Sequence, residues 1–199
     1  KTLRTGFGSP TGITFYEGSL LDDFRRAAEL RYALLPYLYA QAADAAARGL
    51  PLMRALLLDH PDDPTAWMID DQYLLGRDLL VAPLFEEVSA RPVYLPPGAW
   101  IDYQSGQTYE GGRWHTIAAG AIPIVLLARA GSIVPHAEVA QSTAELRWDR
   151  IELRVFPSRD GTALGTFVRP EGPRASVPQR LEAARATGGG WTLRAPAKL

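Results

Sequence analysis

At Leu79 the chain changes its period, and that change limits the fold more than any other feature. Before it, apolar residues recur at Leu20, Leu21, Phe24, Ala27, Ala28, Leu35, Leu38 and Tyr39, the spacing of a helix with one broad buried face. Ser19 followed by Asp22 and Asp23 reads as the helix start, a capping hydroxyl with acids at the positive end of the dipole. Gly49 is the natural stop. Pro36 lies inside the run, where it removes one backbone hydrogen bond, so the helix is expected to kink or split near Tyr32–Leu35. After the change, short apolar segments recur: Leu79–Leu84, Val93–Leu95, Trp100–Tyr103, Trp114–Ile117, Ile122–Ala128 and Ser132–Val134. Pro96–Gly98, Ser105-Gly106 and Gly111-Gly112 punctuate them, and strands at this spacing argue an all-β sandwich or barrel.

The flanking stretches are less regular. Lys1–Gly18 is rich in Gly, Thr, Ser and Pro without a period and reads as an irregular loop. Pro51–Leu58 is a second apolar run, His60–Pro64 is loop chemistry, and Thr65–Leu75 is expected to form a short helix with Trp67 and Met68 on its inner side. Ala144–Phe156 and Ala163–Val168 read as further strands joined by the turn Ser158–Gly161. Beyond Pro170 the tail is polar, with a turn or linker at Gly188–Gly190 and a last strand at Trp191–Arg194. Apolar content dips over Val134–Thr143, which marks a domain boundary.

Composition closes off several classes of function. A hydrophobic fraction of 47% in 199 residues is enough to bury a core. A net charge of −1 gives no long-range attraction to nucleic acid or to an anionic membrane, so neither is expected as a partner. With no cysteine, disulfides and thiolate chemistry are excluded. The longest apolar runs, such as Ala121–Ala128, are too short to span a bilayer. No signal peptide is visible, which favours a cytoplasmic location. A start at Lys1 rather than Met fits a chain cut from something longer, or ordinary processing.

No self-contained catalytic set emerges from the residues. The adjacent acids Asp22-Asp23, Asp62-Asp63, Asp70-Asp71 and Glu86-Glu87 are neighbours in sequence, so their side chains diverge on a strand and only partly converge on a helix. They do not by adjacency create two opposed carboxyls about 5–5.5 Å apart, as a retaining glycosidase needs, and caps and solvated turns account for them. His60, His115 and His136 lack metal-ligand spacing, so no metal or cofactor is expected. Neither Gly8–Pro10 nor Gly188–Gly190 has the context of a phosphate loop. Trp100, Tyr103, Tyr109, Trp114, Trp148 and Trp191 are candidates for a sugar-stacking platform, with core packing the competing explanation for most of them.

Six spaced motifs nevertheless carry a resemblance. They are R-Y-x-L-L-P-Y-L-Y (Arg31–Tyr39), G-x-P-L-M-R-A (Gly49–Ala55), D-D-Q-Y-L-L-G-R-D-L-L-V-A-P (Asp70–Pro83), V-Y-L-P-x-G-x-W (Val93–Trp100), Y-x-G-G (Tyr109–Gly112) and I-P-I-V-x-x-A-x-A-G-S-I-V-P (Ile122–Pro135). In this order they closely resemble the C-terminal half of family-31 glycoside hydrolases, which include α-glucosidases and α-xylosidases. The match runs from about Ser19 to Pro135, and Ile151–Gly161 is similar to the first strands of the family's last domain.

The resemblance implies a mixed α and β fold: the terminal helical part of a (β/α)8 barrel followed by all-β sandwich C-terminal domains. Residues 1–78 would be the barrel end with its linker, 79–140 the proximal β-sandwich and 141–199 the start of a distal β-domain. Leu20–Gly49 would be the last helical element of the barrel. The implied activity is retaining hydrolysis of a terminal α-linked sugar in an oligo- or disaccharide substrate, bound through the barrel. In that chemistry one carboxylate attacks the anomeric carbon while a protonated one assists the leaving group. The family's nucleophile lies in a W-x-D-x-N-E-like strand end that this sequence lacks, so the resemblance puts the catalytic pair upstream and carries over no catalytic residue. The family also has an Arg-x-His near its last barrel strands, whose His bonds a sugar hydroxyl. Leu3-Arg4-Thr5-Gly6 stands in the corresponding place, which makes Arg4 a candidate substrate-side residue and leaves Gly6 where His is expected. Two other readings stay open: a stand-alone carbohydrate-binding β-module, whose Trp and Tyr side chains would gather on one exposed face, and a purely structural interaction domain.

Overall fold

The computed structural model describes residues 4–5, 14–15, 19–171, 174–175, 178–186 and 188–195. The apolar helix splits where Pro36 requires it, into α1 (Ser19–Ala33) and α2 (Leu35–Arg48). Pro36 falls in the first turn of α2, where its missing N–H has no intrahelical partner to lose. Backbone bonds still cross the break, from the Leu34 N–H to Leu30 at 2.9 Å and from the Leu38 N–H to Leu34 at 2.8 Å. The pair is therefore one hinged rod rather than two independent helices. Gly49 ends it at φ 69°, its N–H donating to the Ala45 carbonyl.

A six-stranded sheet lies against this rod. Its strands are β3 (Met53–Arg54), β4 (Tyr73–Leu75), β5 (Leu79–Pro83), β7 (Ala99–Asp102), β8 (Thr108–Glu110) and β10 (Ile124–Arg129), in the spatial order β3-β4-β5-β10-β7-β8. A separate ribbon pairs β6 (Ala90–Leu95) with β9 (Arg113–Ala118). Five strands form a second sheet in the order β12-β11-β13-β16-β17: β11 (Ser132–Ala137), β12 (Ile151–Phe156), β13 (Thr162–Phe167), β16 (Gln179–Arg185) and β17 (Trp191–Arg194). The short pairs β1 (Arg4–Thr5) with β2 (Thr14–Phe15), and β14 (Pro170–Glu171) with β15 (Arg174–Ala175), complete the strands. A single helical turn, α3 (Leu56–Asp59), follows β3.

The wholly apolar strand β5 is explained by burial on both faces. Leu80 and Ala82 point into a core shared with Val93, Leu95, Ile117 and Trp100, on the ribbon side. Leu79 and Val81 point the other way, into a core with Leu34 and Tyr37 of the rod and Val134 and Phe156 of the second sheet. Its neighbour β10 divides likewise, with Val125 and Leu127 on one side and Leu126 and Ala128 on the other. Adjacent residues alternate across a strand, so two covered faces leave no polar position. The second sheet has its own core of Ile133, Ala163, Phe167, Leu181 and Ala183.

The structure corrects the reading of three stretches. Thr65–Leu75 is not a helix: Ala66–Met68 makes one 3-10 turn, and Tyr73–Leu75 is strand β4, paired with both β3 and β5. Leu74 enters the ribbon-side core while Tyr73 and Leu75 pack on the helix side, so a strand buried on both faces imitated the apolar density of a helix. Trp67 and Met68 face outward, at 59% and 80% exposure, rather than inward. Within the stretch read as a loop, β1 and β2 pair antiparallel, Arg4 opposite Phe15, and the rest of Lys1–Gly18 lies outside the described residues. The polar tail contributes β16, an inner strand whose Leu181 and Ala183 are buried beneath charged neighbours.

Trp100 is fully buried, its indole N–H donating to the Pro96 carbonyl at 2.8 Å. Trp100→Ala is expected to cost about 3–5 kcal/mol in urea unfolding, through lost burial and a cavity. At half-exposed Trp191 the same change is expected to fall within about 0.5 kcal/mol.

Candidate functional site

The residues singled out from the sequence do not converge on one site. Arg4 sits in β1 with its backbone paired, and its side chain, like Gly6, lies outside the described residues. Asp22 and Asp23 make exposed ion pairs with Arg25 and Arg26 one turn on. Asp63 Oδ1 accepts the Thr65 N–H at 3.0 Å and its Oδ2 accepts the Tyr94 hydroxyl at 2.6 Å. Asp71 pairs with Arg91, whose guanidinium also donates to the Asp71 and Pro83 carbonyls. Each of these carboxylates is engaged in a turn or an ion pair. His115 shares a 2.7 Å hydrogen bond with the Glu110 carbonyl, and among the described residues no three His, Asp or Glu side chains are grouped to hold a metal ion. The six candidate aromatics scatter: Trp100 and Tyr103 are buried, Trp148 packs edge-on against Tyr39, and Trp114 and Trp191 are exposed on different sheets.

A polar seam that sequence reasoning missed joins the rod to the sheet. The Tyr37 hydroxyl donates to the Leu75 carbonyl at 2.8 Å and accepts the Asp78 N–H at 3.1 Å, while Gln41 Oε1 accepts the Arg77 N–H at 2.9 Å. Two helix side chains thus satisfy the backbone of the turn between β4 and β5. Gly76 stands in that turn at φ 66°, and a Cβ there would lie 2.5 Å from Gln41 Cγ. Beneath it, the Arg54 side chain is fully buried, its Nε donating to the Pro51 carbonyl at 2.9 Å and its Nη1 lying 3.2 Å from Asp59. Arg54 Nη2 has no hydrogen-bond partner and is 3.9 Å from Asp44. The one signal in the sequence was an arginine inside the otherwise apolar run Pro51–Leu58. Burial raises the Asp78 carboxyl to about pH 6, against the pull of Arg129, Arg77 and Arg54.

A cleft of about 730 Å³ opens between α1 and the sheets. Arg26 and Glu29 of α1 line one side, and Tyr103, His136 and Arg154 lie across from them. The Tyr103 hydroxyl and His136 Nε2 share a hydrogen bond, and the Arg154 guanidinium lies 4.9 Å from the centre of the Tyr103 ring. Burial, with the Arg154 charge, lowers His136 to about 4, so it is a neutral imidazole at pH 7. Burial raises Tyr103 to about 12, so it keeps its proton. The pair is a hydrogen-bonded anchor, with neither group poised to exchange a proton near neutrality.

What these features define is a β-rich chain strapped by a split helix, with many of its polar groups engaged in its own seams. Comparison with known proteins gives the family. Residues 49–134 match the model of the glycosyl hydrolase family 31 C-terminal domain, and the chain carries that domain. Alpha-glucosidase 2 of Bacillus thermoamyloliquefaciens is 34% identical over 135 residues, 67% of this chain and 17% of that protein. The alpha-xylosidase of Saccharolobus solfataricus is 36% identical over 134 residues, 66% of this chain and 18% of that protein. Among solved structures, the family-31 dextranase of Flavobacterium johnsoniae, crystallised with isomaltotriose, superimposes with a TM-score of 0.77 at 31% identity, covering 89% of this chain and 23% of its own. The alpha-xylosidase of Xanthomonas citri gives 0.73 at 30% identity, covering 88% and 20%. The chain therefore spans about a fifth of the length of these relatives.

Two buried groups give stability opposite dependences on pH. Asp78 holds its proton to about pH 6 when folded and only to its ordinary 3.8 when unfolded, so its contribution falls as pH rises between those values. His136 protonates near 4 when folded and near 6.5 when unfolded, so its contribution rises over that range. Urea unfolding at stepped pH is expected to show the two partly cancelling. Asp78→Asn should unmask a rise from pH 4 to 6.5 and His136→Gln a fall, each on the order of 1–3 kcal/mol.

Proposed function

We propose that the chain is the C-terminal part of a retaining α-glycosidase acting on terminal α-linked glucose or xylose. Residues 1–78 end its (β/α)8 barrel with a linker, 79–140 form the proximal C-terminal β-sandwich, and 141–199 begin a distal β-domain. The attacking carboxylate and the acid/base carboxyl lie upstream. This segment supports the barrel and is silent alone. Arg4 is a candidate contact to the sugar.

The observation that carries this reading is the family match over residues 49–134, joined to relatives of which the chain spans only about a fifth. Relatives named alpha-glucosidase and alpha-xylosidase support the substrate class. The exposed apolar side of α1 supports a further neighbour: Leu21 is 40% exposed, while the following helix α2 buries Tyr37, Ala40 and Ala45. Scatter of the six candidate aromatics over both sheets weighs against the stand-alone carbohydrate-binding module.

Aryl α-glucoside and α-xyloside assays test the proposal. The 199 residues are expected to give no turnover, and the longest reading frame that contains them is expected to hydrolyse one of the two substrates. Turnover by the 199 residues alone would overturn the proposal and direct mutagenesis to Asp70 and Asp71.

A further inference from the structure

Exposed indoles need an explanation, because a tryptophan left in water forgoes the burial that most such rings obtain. Two of them flank the same loop. Trp67 is 59% exposed, with its indole N–H fixed to the Pro61 carbonyl at 2.8 Å. Trp114, 52% exposed, packs with its ring centre 5.6 Å from that of Tyr94. Tyr94 is itself buried and held to the loop by its hydroxyl bond to Asp63. Between these supports the loop Pro61–Pro64, with His60, Tyr94 and Gly112, lines a cleft of about 460 Å³. That is within the range of small-molecule sites.

The chemistry of this surface is specific. Trp114 is braced by a buried tyrosine at the edge of a two-stranded ribbon, and Trp67 is pinned by its own N–H, so both rings are held in place before any ligand arrives. Asp62, in the same cleft, is exposed and makes no ion pair among the described residues. A pyranose ring offers an apolar C–H face that covers an aromatic ring and a rim of hydroxyls that donate to carboxylates. A peptide partner of ordinary size would instead need about 800 Å² of continuous surface on this side, whereas each indole here rests on a residue that lines the cleft, Trp67 on Pro61 and Trp114 on Tyr94. We infer that Trp114, Trp67 and the Asp62 carboxylate form an accessory binding site for neutral α-glucan chains beside the loop Pro61–Pro64. The choice of α-glucan rests on the proposed glycosidase reading. A site of this kind would hold a polymeric substrate near the enzyme without taking part in bond cleavage.

Affinity electrophoresis in gels containing dextran or soluble starch, run on the longest reading frame that contains the chain, tests the site. Retardation is expected, with the apparent Kd rising about tenfold for Trp114→Ala. Trp67→Ala should also weaken it, and Trp114→Phe should keep part of it. Trp191→Ala, on the second sheet, is expected to behave as the parent. Far-ultraviolet circular dichroism establishes that each variant is folded. No retardation by either polysaccharide, or retardation untouched by both alanine substitutions, would overturn the site. Hydrolysis of the aryl glycosides by the same protein is a separate readout. Retardation without hydrolysis supports the site and contradicts the glycosidase reading, while hydrolysis without retardation does the reverse.

Discussion

The grip of Tyr37 and Gln41 on the turn Gly76–Asp78 is the constraint on which the rest of the molecule depends. A turn pressed against a helix loses water from its backbone, and each unmatched N–H or carbonyl there would cost about 1–3 kcal/mol. Tyr37 serves one carbonyl and one N–H, and Gln41 serves another N–H. The close approach is open only to glycine at position 76. Once the turn is held, β4 and β5 are fixed in register with the rod across their helix-side face. Arg54 lies behind, between Asp44 of α2 and Asp59 of α3, so helix, first strand and following turn share one buried charge cluster. Removing one partner of such a cluster leaves an uncompensated charge in the interior, which ties these elements to a single arrangement.

Much of this was legible in the sequence where one physical rule acted alone. Pro36 announced the split rod, Gly49 its end, and the turn residues after Leu79 announced the strands. Legibility failed where two rules overlapped. Tyr73–Leu75 is buried on both faces, so it lost the alternation that identifies a strand and read as helix. Gln179–Arg185 is an inner strand whose charged residues outnumber its buried ones, so it read as tail. The seam was the least visible part, because Tyr37, Gln41 and Asp78 are far apart in sequence and ordinary in kind. Arg54 alone broke its local pattern.

The same division holds for function. The spaced motifs from Arg31 to Pro135 pointed to the family, and the match over residues 49–134 bears that out. Seen in the structure, most of those motif residues are core and seam: Tyr37, Arg54, Gln72, Leu80 and Trp100 are all buried. They specify how a β-domain is attached and say nothing of bond cleavage. Folds carry chemistry only through the sites built on them, and Asp22, Asp23, Asp63 and Asp71 are occupied in turns and ion pairs. Among the features left facing outward are the apolar side of α1 and the indoles beside Pro61–Pro64.

The central proposal is that α1 docks against a further domain of a longer protein, while α2 is secured within this chain. Amide hydrogen exchange, compared between the 199 residues and the longest reading frame that contains them, addresses it directly. Protection of Leu35–Arg48 in both proteins, with Ser19–Ala33 protected only in the longer one, is the result the account predicts. Equal protection of Ser19–Ala33 in the two would contradict it, because α1 would then need no partner beyond the contacts it already has.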